Sequence, residues 1–145
     1  MRLLFVGDIV GQPGREALRI LLPQLKVKYK PHFIVVNGEN AAGGRGITAP
    51  ISKSFFEWGV QIISLGNHAF DHKDIFNWIN EENKIVRPAN YPPGTPGKGW
   101  SICRNNQLTL AVINLQGRTF LPPLDCPFRT VDAILNEKEV KQANF

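Results

Sequence analysis

Cysteine is scarce: the chain has two, Cys103 and Cys126, with no metal-type spacing between them. That excludes a disulfide framework and a thiolate zinc site, and two reduced thiols in a cytoplasmic protein are expected. No apolar run approaches the ~20 residues of a membrane span, so no membrane partner is expected. The apolar stretch Leu3 to Val6 stops at Gly7 and Asp8. It is too short for a signal-peptide core, and no small-residue cleavage site follows it. Nor does one charge dominate: 17 Lys and Arg against 12 Asp and Glu leave +5. The dense cluster Lys26, Lys28 and Lys30 reads as a solvated helix end favoured by the helix dipole. Attraction to a phosphate-bearing ligand is the lesser alternative. Internal repeats and low-complexity segments are absent too. What is present is a core: 43% hydrophobic residues with nine Phe and three Trp among 145. A chain of that length buries roughly 70% of its unfolded surface without a disulfide or structural metal.

The first eighty residues alternate. Residues 2–7 read as a buried strand stopped by glycine. Ala17, Leu18, Leu21, Leu22 and Leu25 predict a helix from about Pro13 to Tyr29, which Pro23 should kink or split. His32 to Asn37 is a second strand, its consecutive Phe33, Ile34, Val35 and Val36 expected where both faces are covered. Thr48 is placed to cap a helix reaching Trp58, with Pro50 in its first turn. Val60 to Leu65 is a third strand. Asp71 then caps a helix on which Ile75, Phe76, Trp78 and Ile79 share a face. Strand, helix, strand, helix, strand, helix argues for a mainly parallel sheet in a single α/β domain spanning residues 1–145. Beyond it seven of eleven prolines lie between Pro88 and Pro127. Trp100 to Arg104 and Leu108 to Asn114 resemble a hairpin. A last helix is expected from Val131 to about Gln142, capped by Thr130.

Each of the first three strands ends in glycine followed by unusual polar residues: Gly7-Asp8, Gly38-Glu39-Asn40 and Gly66-Asn67-His68. In open α/β sheets, ligands bind beyond the carboxyl ends of the strands. Parallel strands put those ends on one rim, so Asp8, Glu39, Asn40, Asn67 and His68 should converge. Two carboxylates, two amides and one imidazole suit manganese, iron or zinc better than a thiolate-seeking metal. Glu39 is placed to bridge two cations, with Asp8 on one and Asn67 on the other. Two-metal sites of this kind clamp the entering and departing oxygens of a phosphoryl displacement. His68 is placed to protonate the leaving alkoxide. The rival is a phosphate cradle at Gly43-Gly44-Arg45-Gly46, which fits neither the dinucleotide fingerprint nor the P-loop.

These residues also carry a resemblance. Gly66-Asn67-His68 with Asp71 resembles the Gly-Asn-His motif of calcineurin-like metallophosphoesterases. Gly-Asp-Ile-Val-Gly at 7–11, Asn-Gly-Glu-Asn-Ala-Ala at 37–42, Arg-Pro-Ala-Asn at 87–90, Gly-Thr-Pro-Gly-Lys-Gly at 94–99 and Val-Ile-Asn-Leu-Gln-Gly-Arg at 112–118 resemble one bacterial branch, the YmdB-like phosphodiesterases. The likeness runs from Met1 to about Asp132. It implies a metallophosphoesterase-type α/β sandwich and two divalent or trivalent metal ions, iron or manganese. It also implies a hydrolase of phosphodiesters such as 2′,3′-cyclic nucleotides, with an RNA-related ligand as a further partner. Carried over, Asp8, Glu39, Asn40 and Asn67 match metal ligands, with Glu39 bridging, and His68 matches the proton donor. Val10 stands where the wider superfamily has a histidine, as in the YmdB-like branch.

The family continues with an Asp-Phe-His and then a Thr-His-Thr-His segment, and neither occurs here. His32 and His72 match neither and are expected to be structural. The expectation is therefore a C-terminally truncated sandwich, with apolar faces near Val112 and Ile134 exposed and favouring a homo-oligomer. The alternative functions are a non-catalytic fragment with a partial metal site, and a nucleotide-binding module that uses the glycine-rich loop without hydrolysis.

Overall fold

Consecutive β-branched residues need cover on both faces, and the sheet is built to supply it. The computed structural model describes residues Met1–Phe145. Strands β1 (Leu3–Val6), β2 (Phe33–Asn37), β3 (Ile62–Ser64) and β4 (Ile85–Val86) form one parallel sheet in the order β1-β2-β3-β4. The two-residue β4 lies between the segments that the sequence marks as structured. Helices α1 (Gly11–Tyr29) and α2 (Ala49–Glu57) supply two of the crossovers. Leu18, Leu22 and Phe55 pack with Ile34, Val36, Ile63 and Ile85 on one face of the sheet. Phe33, Val35, Ile62 and Val86 point to the other face. There they meet the antiparallel hairpin β5 (Trp100–Asn105) and β6 (Leu108–Ile113) through Cys103, Leu108, Leu110 and Val112. The architecture is thus mixed α/β with a parallel sheet, as the alternation predicts. Each large side chain fully buried in these layers contributes about 1.5–3 kcal/mol.

Side-chain amides fasten the hairpin to the sheet. Asn114 Nδ2 donates to Leu65 O at 2.6 Å and Val86 O at 2.8 Å, satisfying carbonyls at the ends of β3 and β4. Asn105 Nδ2 donates to His32 O at 2.6 Å. His32 accepts the Arg2 amide at Nδ1, 3.0 Å, a structural use of that ring.

Several local expectations are corrected. Pro23 neither kinks α1 into two helices nor ends it; the helix runs through to Tyr29 with Pro23 on its exposed side. The third expected helix shrinks to a 3₁₀ turn, Lys73–Asn77, preceded by His72 rather than capped by Asp71. Ile75 and Ile79 are buried there but Phe76 is not, because a tighter turn breaks the shared helical face. The last helix divides into α3 (Pro127–Ile134) and α4 (Lys138–Lys141), with Thr130 inside α3. Thr48 precedes α2 but makes no side-chain cap bond. Lys26 is not a solvated end, since its Nζ donates to Trp58 O at the close of α2. Ile134 itself is buried and Val112 half-buried, while Leu135 beside Ile134 is exposed, so the exposed apolar groups lie partly there and partly elsewhere. They include Leu3 and Phe5 on the hairpin side of β1, 46% and 56% exposed, together with Phe120 and Phe128. Both cysteines are free thiols. No helix is long and apolar enough to cross a membrane.

Candidate active site

Because β1, β2 and β3 are parallel neighbours, the residues that follow them share one rim. Backbone bonds lock the turns together: Ile9 N–H donates to Asn37 O at 3.0 Å, Gly38 N–H to Ser64 O at 2.9 Å, and Gly11 N–H to Asn40 O at 2.9 Å. Asp8 adopts φ +30°, a strained conformation for a residue with a Cβ. Its Oδ1 accepts from Asn40 Nδ2 at 2.7 Å. Asn40 Oδ1, fully buried, has no hydrogen-bond partner.

Glu39 is half-buried beside them. Its Oε1 accepts from Asn37 Nδ2 at 3.3 Å and its Oε2 from His68 N–H at 3.4 Å, both long for charge-assisted bonds. Gly66 lies directly under this carboxylate, where an added Cβ would overlap it. The glycine is therefore a matter of close approach, not of turn geometry.

His68 Nδ1 is held by Asp71 Oδ2 at 2.8 Å, and its Nε2 faces Asn67 Nδ2 at 3.1 Å. A carboxylate only accepts, so Nδ1 carries a hydrogen and Nε2 is the nitrogen turned to the rim. Asp71 thus orients a ring rather than capping a helix. The spacing His68-x-x-Asp71 is the signal that was there to be read.

Two further neighbours come from far along the chain. Tyr91 hydroxyl lies 3.3 Å from Gly66 O and 3.2 Å from Gln116 Oε1. Burial first, then the Glu39 charge, push this hydroxyl above its ordinary pKa, with Arg87 opposing and Asp71 adding. It stays a neutral donor. No pattern in the sequence marks Tyr91 or Gln116 as neighbours of the rim.

The glycine-rich loop does other work. Gly44 and Arg45 donate their amides inward, to Asn40 O and Ala42 O, and Arg15 and His72 hold the carbonyls of Ala41 and Ala42. Those two amides are engaged within the loop and are not free to cradle a phosphate.

The donor chemistry fits a hard cation. Neither Asp8 nor Glu39 has a cationic partner; the ion pairs are Arg19–Glu16 and His68–Asp71. Two unneutralised carboxylates beside a buried, unpartnered amide oxygen favour a positive charge between them. No three His, Cys, Asp or Glu side chains stand together as one ligand set. The rim therefore offers part of a coordination shell.

Comparison with known proteins places this rim in context. Residues 4–145 match the model of a family described as YmdB-like protein. A 2′,3′-cyclic-nucleotide 2′-phosphodiesterase of Bacillus subtilis is 54% identical over 94% of this chain and 52% of its own length. A putative phosphatase/phosphodiesterase of Mycoplasma pneumoniae is 32% identical over 97% of this chain and 50% of its own length. A crystal structure of a novel phosphatase from Mycoplasma pneumoniae superposes with a TM-score of 0.86 at 30% identity, covering 95% of this chain and 51% of the other. A hypothetical protein from Thermus thermophilus superposes at 0.88 with 43% identity, covering 95% and 54%. The chain spans about half the length of these relatives. With the match extending over nearly all its residues, this chain belongs to the YmdB-like protein family.

Proposed function

We propose that residues 1–145 act as one domain carrying the amino-terminal part of a metal-dependent phosphodiesterase, acting on 2′,3′-cyclic nucleotides or related RNA-derived phosphodiesters. The observation that supports this best is the rim itself: Asp8 and Glu39 without cationic partners, beside an imidazole oriented by its own carboxylate. Asp8, Glu39, Asn40 and Asn67 would hold two ions, iron or manganese. When bound, those ions neutralise phosphoryl charge and make hydroxide available near neutral pH. His68 turns Nε2 to the rim, where it would act as the proton donor to the leaving alkoxide, while Asp71 at Nδ1 fixes the ring's direction. Asn67 sets where Nε2 points. The partial ligand set favours weak metal retention by this chain alone, so little turnover is expected until the family's histidine segments are supplied.

The test compares this chain with one extended through an Asp-Phe-His and a Thr-His-Thr-His segment, measuring metal content and hydrolysis of 2′,3′-cyclic AMP. Two retained ions and metal-dependent hydrolysis are expected of the longer chain. There His68→Ala should slow turnover by ~10²–10⁴-fold with metal content nearly unchanged. Glu39→Ala should lose metal as well as rate. Hydrolysis that survives chelation, or a His68→Ala enzyme at full speed, overturns the proposal.

A further inference from the structure

A cavity of about 440 Å³ opens beside the rim, and its chemistry differs from that of the rim. Asn67 lines one side of it and so belongs to both. Phe70, Phe76 and Tyr91 form an aromatic wall, with Leu124 and prolines around them. Phe70 stacks on Phe76 with ring centres 5.0 Å apart and planes 6° from parallel, and meets Tyr91 at 5.9 Å. No charged side chain lines the cavity. Lys73 approaches Phe76, 5.8 Å from the ring centre, but is not part of the lining. A phosphate or carboxylate finds no counter-charge here. A flat, apolar-faced, polar-edged group does.

Gln116 supplies the polar edge. It is only 8% exposed, yet it lines the cavity. Tyr91 hydroxyl engages its Oε1, and no protein acceptor takes its Nε2 hydrogens. That nitrogen is not among the buried atoms left unpartnered, so it is reached from the open cavity. The residue is held from behind. Asn90, itself buried, donates Nδ2 to Gln116 O at 2.9 Å and accepts the Gln116 amide at Oδ1, 2.9 Å. Two bonds fix the backbone and the Tyr91 hydroxyl lies 3.2 Å from the side-chain oxygen, leaving the amide hydrogens of a cavity-lining residue without a protein acceptor.

We propose that this cavity seats the heterocyclic base of the substrate, its face against the Phe70, Phe76 and Tyr91 wall and a ring nitrogen or carbonyl accepting from Gln116 Nε2. The inference rests on the phosphodiesterase reading for the phosphate's position at the rim, and Asn67 joins the two subsites. A purine or pyrimidine presents an aromatic face and edge acceptors together, which an aliphatic ester does not. Pockets of ~300–1,000 Å³ with a few fixed polar groups are the usual small-ligand sites.

The experiment follows ring resonances of this 145-residue chain by NMR during titration with adenosine, 3′-AMP and ribose 5-phosphate. Adenosine and 3′-AMP should shift Phe70, Phe76 and Tyr91 signals saturably, and ribose 5-phosphate should not. Phe76 is 42% exposed, so Phe76→Ala should leave the fold intact. It should weaken 3′-AMP binding ~5- to 150-fold, the range for losing one base–aromatic contact, and Phe76→Tyr should restore it. Gln116→Met should alter the ranking of bases more than it lowers all affinities. Ring shifts from ribose 5-phosphate equal to those from 3′-AMP, or unchanged affinity in Phe76→Ala, overturn the base site. Base binding without phosphodiester hydrolysis by the extended chain would instead sink the phosphodiesterase reading and leave this cavity's assignment standing. Hydrolysis with a Michaelis constant indifferent to Phe76→Ala would do the reverse.

Discussion

Gly66 shows how one missing Cβ shapes the rim. Its φ is not in the left-handed region, so the backbone there would accept an L side chain. The obstacle is the Glu39 carboxylate resting on it. Gly66→Ala should therefore cost about 1–3 kcal/mol, the usual penalty of overpacking. In a Glu39→Ala background most of that penalty should vanish, because the overlapping group is gone. Urea unfolding of the four proteins in this cycle measures the coupling. An equal penalty in both backgrounds would mean that the strand end itself demands glycine. That Asp8, Glu39, Asn40, Asn67 and His68 share one rim was legible from sequence because three parallel strands end in phase, although Asp and Asn singly are ordinary turn formers. Tyr91 and Gln116 were not: they reach Gly66 and Asn90 across 25 and 26 positions of irregular chain, where no period exists to read.

At the scale of elements, α1 shows a propensity overruled by packing. Proline in a helix interior removes one backbone bond and crowds the preceding turn, worth roughly 3 kcal/mol. Leu18 and Leu22 are buried against the sheet and hold the helix before the defect, and Lys26, donating to Trp58 O, anchors it beyond. Pro23 faces solvent, where the missing donor leaves a carbonyl to water. Pro23→Ala should accordingly raise unfolding free energy by about 1–3 kcal/mol without changing the sheet, as denaturant melts would show. No gain would mean that the helix is already relaxed around the ring. Strands were easy to place because runs such as Phe33 to Val36 end at glycine. The 3₁₀ turn at Lys73–Asn77 was not, since five residues satisfy either period. Arg87 explains part of the proline-rich stretch: its guanidinium donates to Pro88 O, Thr95 O and Pro96 O, tying down a loop without periodicity. Burial lowers its pKa, with Tyr91 opposing.

Across the whole molecule, apolar cover is uneven. The hairpin shields β2, β3 and β4 on one side, but β1 keeps Leu3 and Phe5 open on that same side. β1 is also an edge strand, so open backbone and open side chains coincide. Self-association that rises with concentration is expected, and Leu3→Thr with Phe5→Thr should shift it toward monomer while keeping strand propensity. Sedimentation velocity over a dilution series decides the matter. A wild-type chain that sediments identically at every dilution would show that this face is harmless in water. Val112 is drawn in against the sheet and Ile134 is buried, but Phe128 and Leu135 of the same helical segment as Ile134 stay open and add to the exposed apolar surface.

The amide of Asn114 carries a consequence in time. It completes the ends of β3 and β4 from 49 and 28 residues downstream. During synthesis, chains acquire structure from the amino terminus first. Parallel pairings of this separation are slow to close. Every residue of the rim is therefore made well before the group that settles the strand ends beneath it. A nascent chain holding Asp8, Glu39 and His68 still has the Leu65 carbonyl bare at the floor of the rim, while Val86 O already accepts the Leu65 N–H. Only the docked hairpin brings in the Asn114 amide, so an obstacle to that docking would leave a complete set of site residues on an unfinished floor.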